Sequence, residues 1–405
     1  MEGETKVANH AEIVSIPQIP ENASVTAITF RNKQLGWKSY YGNQDKVKDK
    51  YMKIGILTFH WATNYGAVLQ CYALQTYLES LGHKVNVINY KPSFFDESVY
   101  KFLRYRKFLH LSSYFKTIKM EKMLVDFRNK YLKQTDRVLT INSIEKIASV
   151  FDIIISGSDQ VLNPSFLMGG EGAHKITPTY FLDFPFDGKR IGYALSFGCV
   201  KYPENALKEA RKHIGTFDIL SVRESSGIEI VRSMGRDDVA VVPDPTLLMP
   251  AEFYHSLADE CTYTKLSYTY CFFIRHITER KRAIKHILKD RPALWNNDDR
   301  RYSLQEWLSK IKHSEFIITD SFHCMVMCLK LHTPFVVITE QEGNVGMNDR
   351  LYTLLDEIGM KKCVVHKNNL DAIYPLMNET YNWKDVDFAM NKLQNYGYEF
   401  VTNNI

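Results

Sequence analysis

From residue 52 onward the apolar positions alternate between two registers. Short unbroken apolar runs bounded by polar or small residues alternate with longer stretches in which apolar residues recur every three or four positions, the patterns of buried strands and of amphipathic helices. Lys53 to Phe59, Val85 to Tyr90, Asp152 to Ser156, Arg190 to Leu195, Ile219 to Val222 and Val239 to Val242 read as strands, with helices over Gly66 to Leu81, Glu204 to Ile214 and Ser225 to Met234. After Pro243-Asp244-Pro245-Thr246, whose prolines interrupt the pattern, a second series begins. Its strands are Tyr268 to Ile274, Phe316 to Thr319, Phe335 to Thr339 and Lys362 to Val365, with Ala293-Leu294-Trp295 as a short addition. Its helices lie near Glu279 to Lys289, Ser303 to Lys312, Phe322 to Leu331 and Asp349 to Ile358. Strands alternating with helices predict an α/β protein with mainly parallel sheets, here two Rossmann-like domains, 52–245 and 246–405, facing across a cleft. Residues 1–51 lack this periodicity and end in the charged run Asp45 to Lys50, so they read as an appendage.

Length and composition agree with two packed cores: 405 residues, 45% hydrophobic and 24% charged. The formal charge of +5 is spread along the chain without a dense basic block, which suits an anionic small substrate and no nucleic acid partner. Lys101, Arg104, Arg106 and Lys107, interleaved with Tyr100, Phe102, Tyr105 and Phe108, read as a solvated face with an apolar back. Peripheral membrane contact is the alternative for that stretch. The seven cysteines are odd in number and scattered in apolar contexts, as reduced core residues are, and no Cys-x-x-Cys or His-x-x-x-His pair completes a metal site. No run of eighteen apolar residues occurs, and a cytoplasmic location is expected.

Candidate chemistry collects where strands end in polar residues. Phe316-Ile317-Ile318-Thr319 runs into Asp320-Ser321-Phe322-His323 and then an apolar helix, which places Ser321 at an N-cap and His323 in the first turn. A helix start favours a phosphate or carboxylate, a histidine beside it can move a proton, and Asp320 is available to orient the ring. The first strand leads to Asn64-Tyr65-Gly66-Ala67, where Gly66 permits a close backbone approach to a ligand, or simply completes a capped turn. Neither a dinucleotide fingerprint nor a phosphate loop of the G-x-x-x-x-G-K-[ST] type is present. Ser158, Asp159 and Gln160 follow a third strand end, where carboxylate and amide groups can grip sugar hydroxyls or cap the next helix. Arg223 ends another strand and offers a planar fork for phosphate or carboxylate, with a structural ion pair as the competing reading. Arg350 opens the helix after Gly346-Met347-Asn348-Asp349 and is either a further substrate cation or a surface arginine.

Six segments in order, Asn64-Tyr65-Gly66-Ala67-Val68-Leu69-Gln70, Gly157-Ser158-Asp159-Gln160-Val161, Tyr193-Ala194-Leu195-Ser196-Phe197-Gly198, Ser221-Val222-Arg223-Glu224, Asp244-Pro245-Thr246-Leu247-Leu248 and Thr319-Asp320-Ser321-Phe322-His323, resemble the polysaccharide pyruvyl transferase family over roughly residues 52–360. The resemblance implies a GT-B-like fold and transfer of the enolpyruvyl carbons of phosphoenolpyruvate, as a ketal, onto a sugar or lipid-linked oligosaccharide of a capsule or exopolysaccharide precursor. It also implies that Arg223 and His323 take anion-binding and acid/base positions, that Arg350 adds a substrate cation, and that no cofactor beyond the donor is needed. Two departures are noted: Cys324 stands where the family has glycine, and the span from Ile287 to Ser303 is short. The rival readings are a GT-B glycosyltransferase using a nucleotide sugar and a non-catalytic glycan-binding or assembly protein. A short segment, Ile28 to Tyr40, resembles the end of the coenzyme F420 hydrogenase/dehydrogenase beta-subunit family.

Overall fold

The computed structural model describes residues 26–29, 38–41, 51–91, 111–167, 178–261, 267–296, 302–341 and 348–405. The basic and aromatic stretch at 100–108 lies outside them, as does most of the segment 28–40. In the N-terminal unit, residues 1–49, strands β1 (Thr26–Thr29) and β2 (Lys38–Tyr41) pair antiparallel with Thr26 opposite Tyr41, a hairpin that the hydrophobic pattern did not predict.

Two parallel sheets organise residues 50–405. The first has the order β4-β3-β5-β6-β7-β8, with β3 at Lys53–Leu57, β4 at Lys84–Val87, β5 at Ile153–Ser156, β6 at Lys189–Leu195, β7 at Ile219–Val222 and β8 at Ala240–Val241. The second has the order β10-β9-β11-β12-β13, with β9 at Thr269–Phe272, β10 at Ala293–Trp295, β11 at Phe316–Thr319, β12 at Phe335–Thr339 and β13 at Val364–His366. All strand pairs in both sheets are parallel. A parallel sheet is covered on both faces, so its central strands must be apolar throughout. Ile153-Ile154-Ile155 and Phe316-Ile317-Ile318 satisfy that requirement and are buried at every position.

The helices that matter for the site are α1 (Tyr65–Ser80), α2 (Leu111–Tyr131), α3 (Leu304–Lys312), α4 (Phe322–Lys330), α5 (Asp349–Glu357) and α6 (Trp383–Asn404). Of these, α2 was anticipated only as a helical stretch without bounds after the second strand, and α6 was not anticipated. Although α6 follows the second sheet in sequence, it lies against the first layer: Gln394 Nε2 and Tyr398 Oη both donate to Leu248 O at 2.8 Å, and Tyr398 stacks on Tyr77 at 4.9 Å. Gly397 makes the crossing close, since a Cβ there would meet Leu248 Cδ2 at 2.6 Å. Buried Tyr65 ties α1 to the second layer, donating from its hydroxyl to Tyr302 O at 2.6 Å. Among the described residues no helix is long and apolar enough to cross a membrane.

Candidate active site

The carboxyl ends of both sheets open onto one hollow of about 450 Å3, the position where open α/β sheets bind ligands. The first layer contributes Phe59, Trp61, Asn64, Asp159, Gln160 and Asn163; the second contributes Arg275, Arg280, Asp320, Ser321, Phe322, His323, Glu340 and Arg350. Two helices start at its edge. Asn64 Oδ1 caps α1, accepting from Gly66 N–H at 2.9 Å and Ala67 N–H at 3.3 Å, and Ser321 Oγ caps α4, accepting from Cys324 N–H at 3.3 Å. Both residues thus use their side chains on helix starts while lining the hollow.

Gly66 makes a close approach, but to an imidazole rather than to a ligand. A Cβ at that position would lie 2.0 Å from His323 Nδ1, 2.2 Å from its Cγ and 2.6 Å from its Cβ. The small residue after the Asn64 cap is what lets the histidine of the opposite layer seat against α1. His323 is buried, and its Nε2 stands 3.7 Å from Asp244 Oδ2 without a hydrogen-bond partner among the described residues.

Asp244, which the sequence marked as part of a proline-flanked breaker and of one family-like segment but with no role at the site, is the hub of the buried polar network. Its Oδ1 accepts from Thr246 N–H at 3.0 Å and Thr246 Oγ1 at 2.7 Å, and its Oδ2 accepts from Ser158 Oγ and from an Arg223 guanidinium nitrogen, each at 2.7 Å. Burial pushes the Asp244 carboxyl upward. The interactions with His323 and Arg223, and the Thr246 N–H, outweigh that and hold it well below the usual carboxylate range.

Arg223 does not line the hollow. Its side chain is 1% exposed, and around it stand Asp244, Glu224 at 3.5 Å and Asp159 at 3.7 Å. Burial disfavours its charge, but the three carboxylates more than compensate. Glu224 is itself fixed, accepting from Ser196 Oγ at 2.7 Å and Phe197 N–H at 2.9 Å. Asp159 adopts φ +78°, a left-handed conformation costly for a residue with a Cβ, and it is held there as its carbonyl accepts from Ser196 N–H. Gln160 Oε1 accepts from Asn163 Nδ2 at 2.7 Å.

Arg350 faces the hollow as Arg223 does not. It is partly exposed there, its buried Nε has no hydrogen-bond partner, and no ion pair ties it to a carboxylate among the described residues. Burial, with the Arg223 charge nearby, pushes its guanidinium down to about 10, still protonated at neutral pH. Both guanidinium carbons stand near the Phe322 ring, Arg223 at 5.1 Å and Arg350 at 5.6 Å.

Asp320 is placed differently from its expected role as partner of the histidine ring. Its two oxygens accept from the backbone N–H groups of Ile274 at 2.7 Å and Arg275 at 3.3 Å, fixing the end of β9, and Arg280 Nε lies 3.9 Å away. The carboxylate next to the imidazole is Asp244. Cys324 is fully buried and does not line the hollow, so its thiol does not intrude on a ligand there. Arg275, Arg280 and Glu340 were not anticipated, although Arg275 follows a strand end and was open to the reading given to Arg223. Arg280 is paired with Glu340; Arg275 is exposed and Arg350 partly exposed. No group of three or more His, Cys, Asp or Glu side chains among the described residues converges as a metal site.

Comparisons with known proteins agree with this architecture. The chain superposes on the UDP-GlcNAc 2-epimerase from Neisseria meningitidis bound to UDP-GlcNAc with a TM-score of 0.51 at 9% identity, covering 87% of this chain and 100% of that one. An S. aureus MnaA–UDP co-structure (TM-score 0.49, 12% identity, 87% and 98% covered) and the spinosyn rhamnosyltransferase SpnG (0.40, 8%, 88% and 100%) are also similar. At 9% identity the likeness to the Neisseria enzyme is one of fold, a GT-B-like pair of sheets. No curated protein sequence matches the chain. The model of one family, polysaccharide pyruvyl transferase, matches residues 64–342, from the cap of α1 to just past β12. The match takes in more than half of the sequence and most of the residues that line the hollow, leaving out Phe59, Trp61 and Ala62 before it and Asn348, Arg350 and Leu351 after it, and the chain belongs to the polysaccharide pyruvyl transferase family.

Proposed function

We propose that the protein transfers pyruvate from phosphoenolpyruvate to a hexose of a surface-glycan precursor, as a ketal, in the cytoplasm. The observation that carries this reading is the meeting of Arg350, Arg275 and the His323 imidazole at one hollow, with Asp244 and Arg223 behind the wall. A donor with a carboxylate and a phosphate needs a cation that is not already neutralised, and Arg350 supplies it, with the exposed Arg275 at the same hollow; planar guanidinium forks suit both groups.

In this scheme His323 donates a proton to carbon 3, which turns carbon 2 into an electrophile. One sugar hydroxyl bonds to carbon 2, the carbon–oxygen bond to phosphate breaks, and a second hydroxyl closes the ketal. The balance is complete: of the two hydroxyl protons, one ends on carbon 3 and the other on the released phosphate. Asp244 holds the protonated imidazole by charge, while Arg223 fixes Asp244 and Ser158. Ser321, Asn64 and Asp320 set the helix starts and the β9 end, and Asp159 and Gln160 line the hollow from the first layer. Transferring pyruvate in D2O and recording the ketal methyl group by NMR tests the scheme. One deuterium in that methyl group is expected. Phosphate release without a ketal, or sugar transfer from a nucleotide sugar instead, overturns it.

A further inference from the structure

Beside the charged hollow lies a second cavity of about 210 Å3 that shares Asn64, Ser321 and Ile274 with it. Its character is different. No ionised side chain among the described residues lines it, and its walls are aromatic, with Tyr65 and Trp307 stacked at 5.0 Å and Phe272 tilted against both. Two of its lining side chains carry buried polar atoms without a hydrogen-bond partner among the described residues: Trp307 Nε1, on a residue 1% exposed, and Tyr270 Oη, on a residue 0% exposed. Buried donors are nearly always matched, so two unmatched ones at a single cavity mark a place for acceptor oxygens.

We infer that this cavity receives the neutral hexose ring of the acceptor. A pyranose offers hydroxyl oxygens to the indole and phenol groups and C–H faces to the aromatic walls, and it brings no charge into a chamber that has none to meet it. Phosphoenolpyruvate fits the other hollow for the opposite reason, since its two acidic groups find cations only there. The shared wall at Asn64 and Ser321 adjoins the Gly66–His323 contact, so a ring in the aromatic chamber presents its hydroxyls next to the proton donor. The term acceptor rests on the function proposed above; binding of a neutral sugar does not.

The test follows the Trp307 indole N–H by NMR on the full chain, which has five tryptophans, with Trp307→Phe assigning the signal. The methyl glycosides of galactose, glucose, mannose and N-acetylglucosamine serve as probes. At least one should shift the Trp307 signal saturably. Trp307→Phe and Tyr270→Phe should each weaken that binding roughly two- to tenfold, the worth of one hydrogen bond, and leave phosphoenolpyruvate affinity unchanged. The inference is overturned if no glycoside moves the signal, in which case ordered water matches the two donors, or if both variants weaken donor binding as much as sugar binding. A sugar response with no phosphoenolpyruvate binding would instead sink the pyruvyl-transfer reading and leave the sugar site standing.

Discussion

Replacing Gly66 with alanine adds one methyl group and, on helix propensity alone, should stabilise α1 by up to about 1 kcal/mol. Packing predicts the reverse. Swinging the His323 ring away removes the contacts at 2.0 and 2.2 Å but leaves its Cβ 2.6 Å from the new methyl. The starts of α1 and α4 must then part by about 0.8 Å to reach ordinary contact at 3.4 Å. Overpacking of this kind costs roughly 1–3 kcal/mol. A displacement near 1 Å of a catalytic group costs on the order of a hundredfold in rate. Gly66→Ala should therefore lower the denaturation midpoint by about 1–2 kcal/mol equivalent, after the propensity gain, and reduce donor-dependent phosphate release by roughly ten- to a hundredfold. Urea unfolding and a phosphate-release assay measure the two effects. The decisive control is the same substitution in a His323→Gly background, where both the ring and its Cβ are gone and Gly66→Ala should be neutral or stabilising. If the single variant is as stable as the parent, or if its penalty persists unchanged without the His323 side chain, the packing argument is wrong.

Other consequences bear on the charges. Arg350→Met should abolish most donor affinity, about a hundredfold or more, while thermal unfolding stays level or rises, because a cation without a direct carboxylate partner among the described residues is removed from beside Arg223; a clear fall in melting temperature would count against this. Asp244→Asn leaves Arg223 without its hydrogen-bonded carboxylate and should cost about 3–5 kcal/mol by denaturant titration at neutral pH. Asp244 also sets an acid limit. Its native pKa lies below the unfolded value, so its contribution is present above the ordinary carboxylate range and is lost as pH falls through that range toward the native value. Acid titration of stability should accordingly be shallower in Asp244→Asn than in the parent. Tyr65→Phe removes the buried bond to Tyr302 O that joins the two layers and should cost about 1–3 kcal/mol in urea unfolding.

Local features were legible in the sequence because they depend on neighbours in the chain. The buried run Ile153-Ile154-Ile155 and the Ser321 cap before Phe322 occur where pattern and capping chemistry put them. What escaped were partnerships between distant segments. Gly66 reads as room for a ligand until the fold brings the His323 ring of the other layer onto it. Asp320 sits three residues before His323 and looked like its partner, but the backbone of β9 takes both its oxygens while Asp244 arrives from the linker between sheets. Arg223 and Arg350 carry the same fork, and only the carboxylates gathered by folding show that one is neutralised and the other is not. The helix α6 was overlooked although Val386, Met390, Gln394, Gly397 and Val401 keep helical spacing, because its apolar stripe is narrow and interrupted by polar and small residues.

Calorimetric titration of the full chain with phosphoenolpyruvate tests the central claim most directly, since it requires no knowledge of the acceptor. The account predicts saturable binding that Arg350→Met removes and that a UDP-hexose does not displace. Binding of the UDP-hexose with no response to phosphoenolpyruvate, or donor binding indifferent to the loss of Arg350, would contradict it.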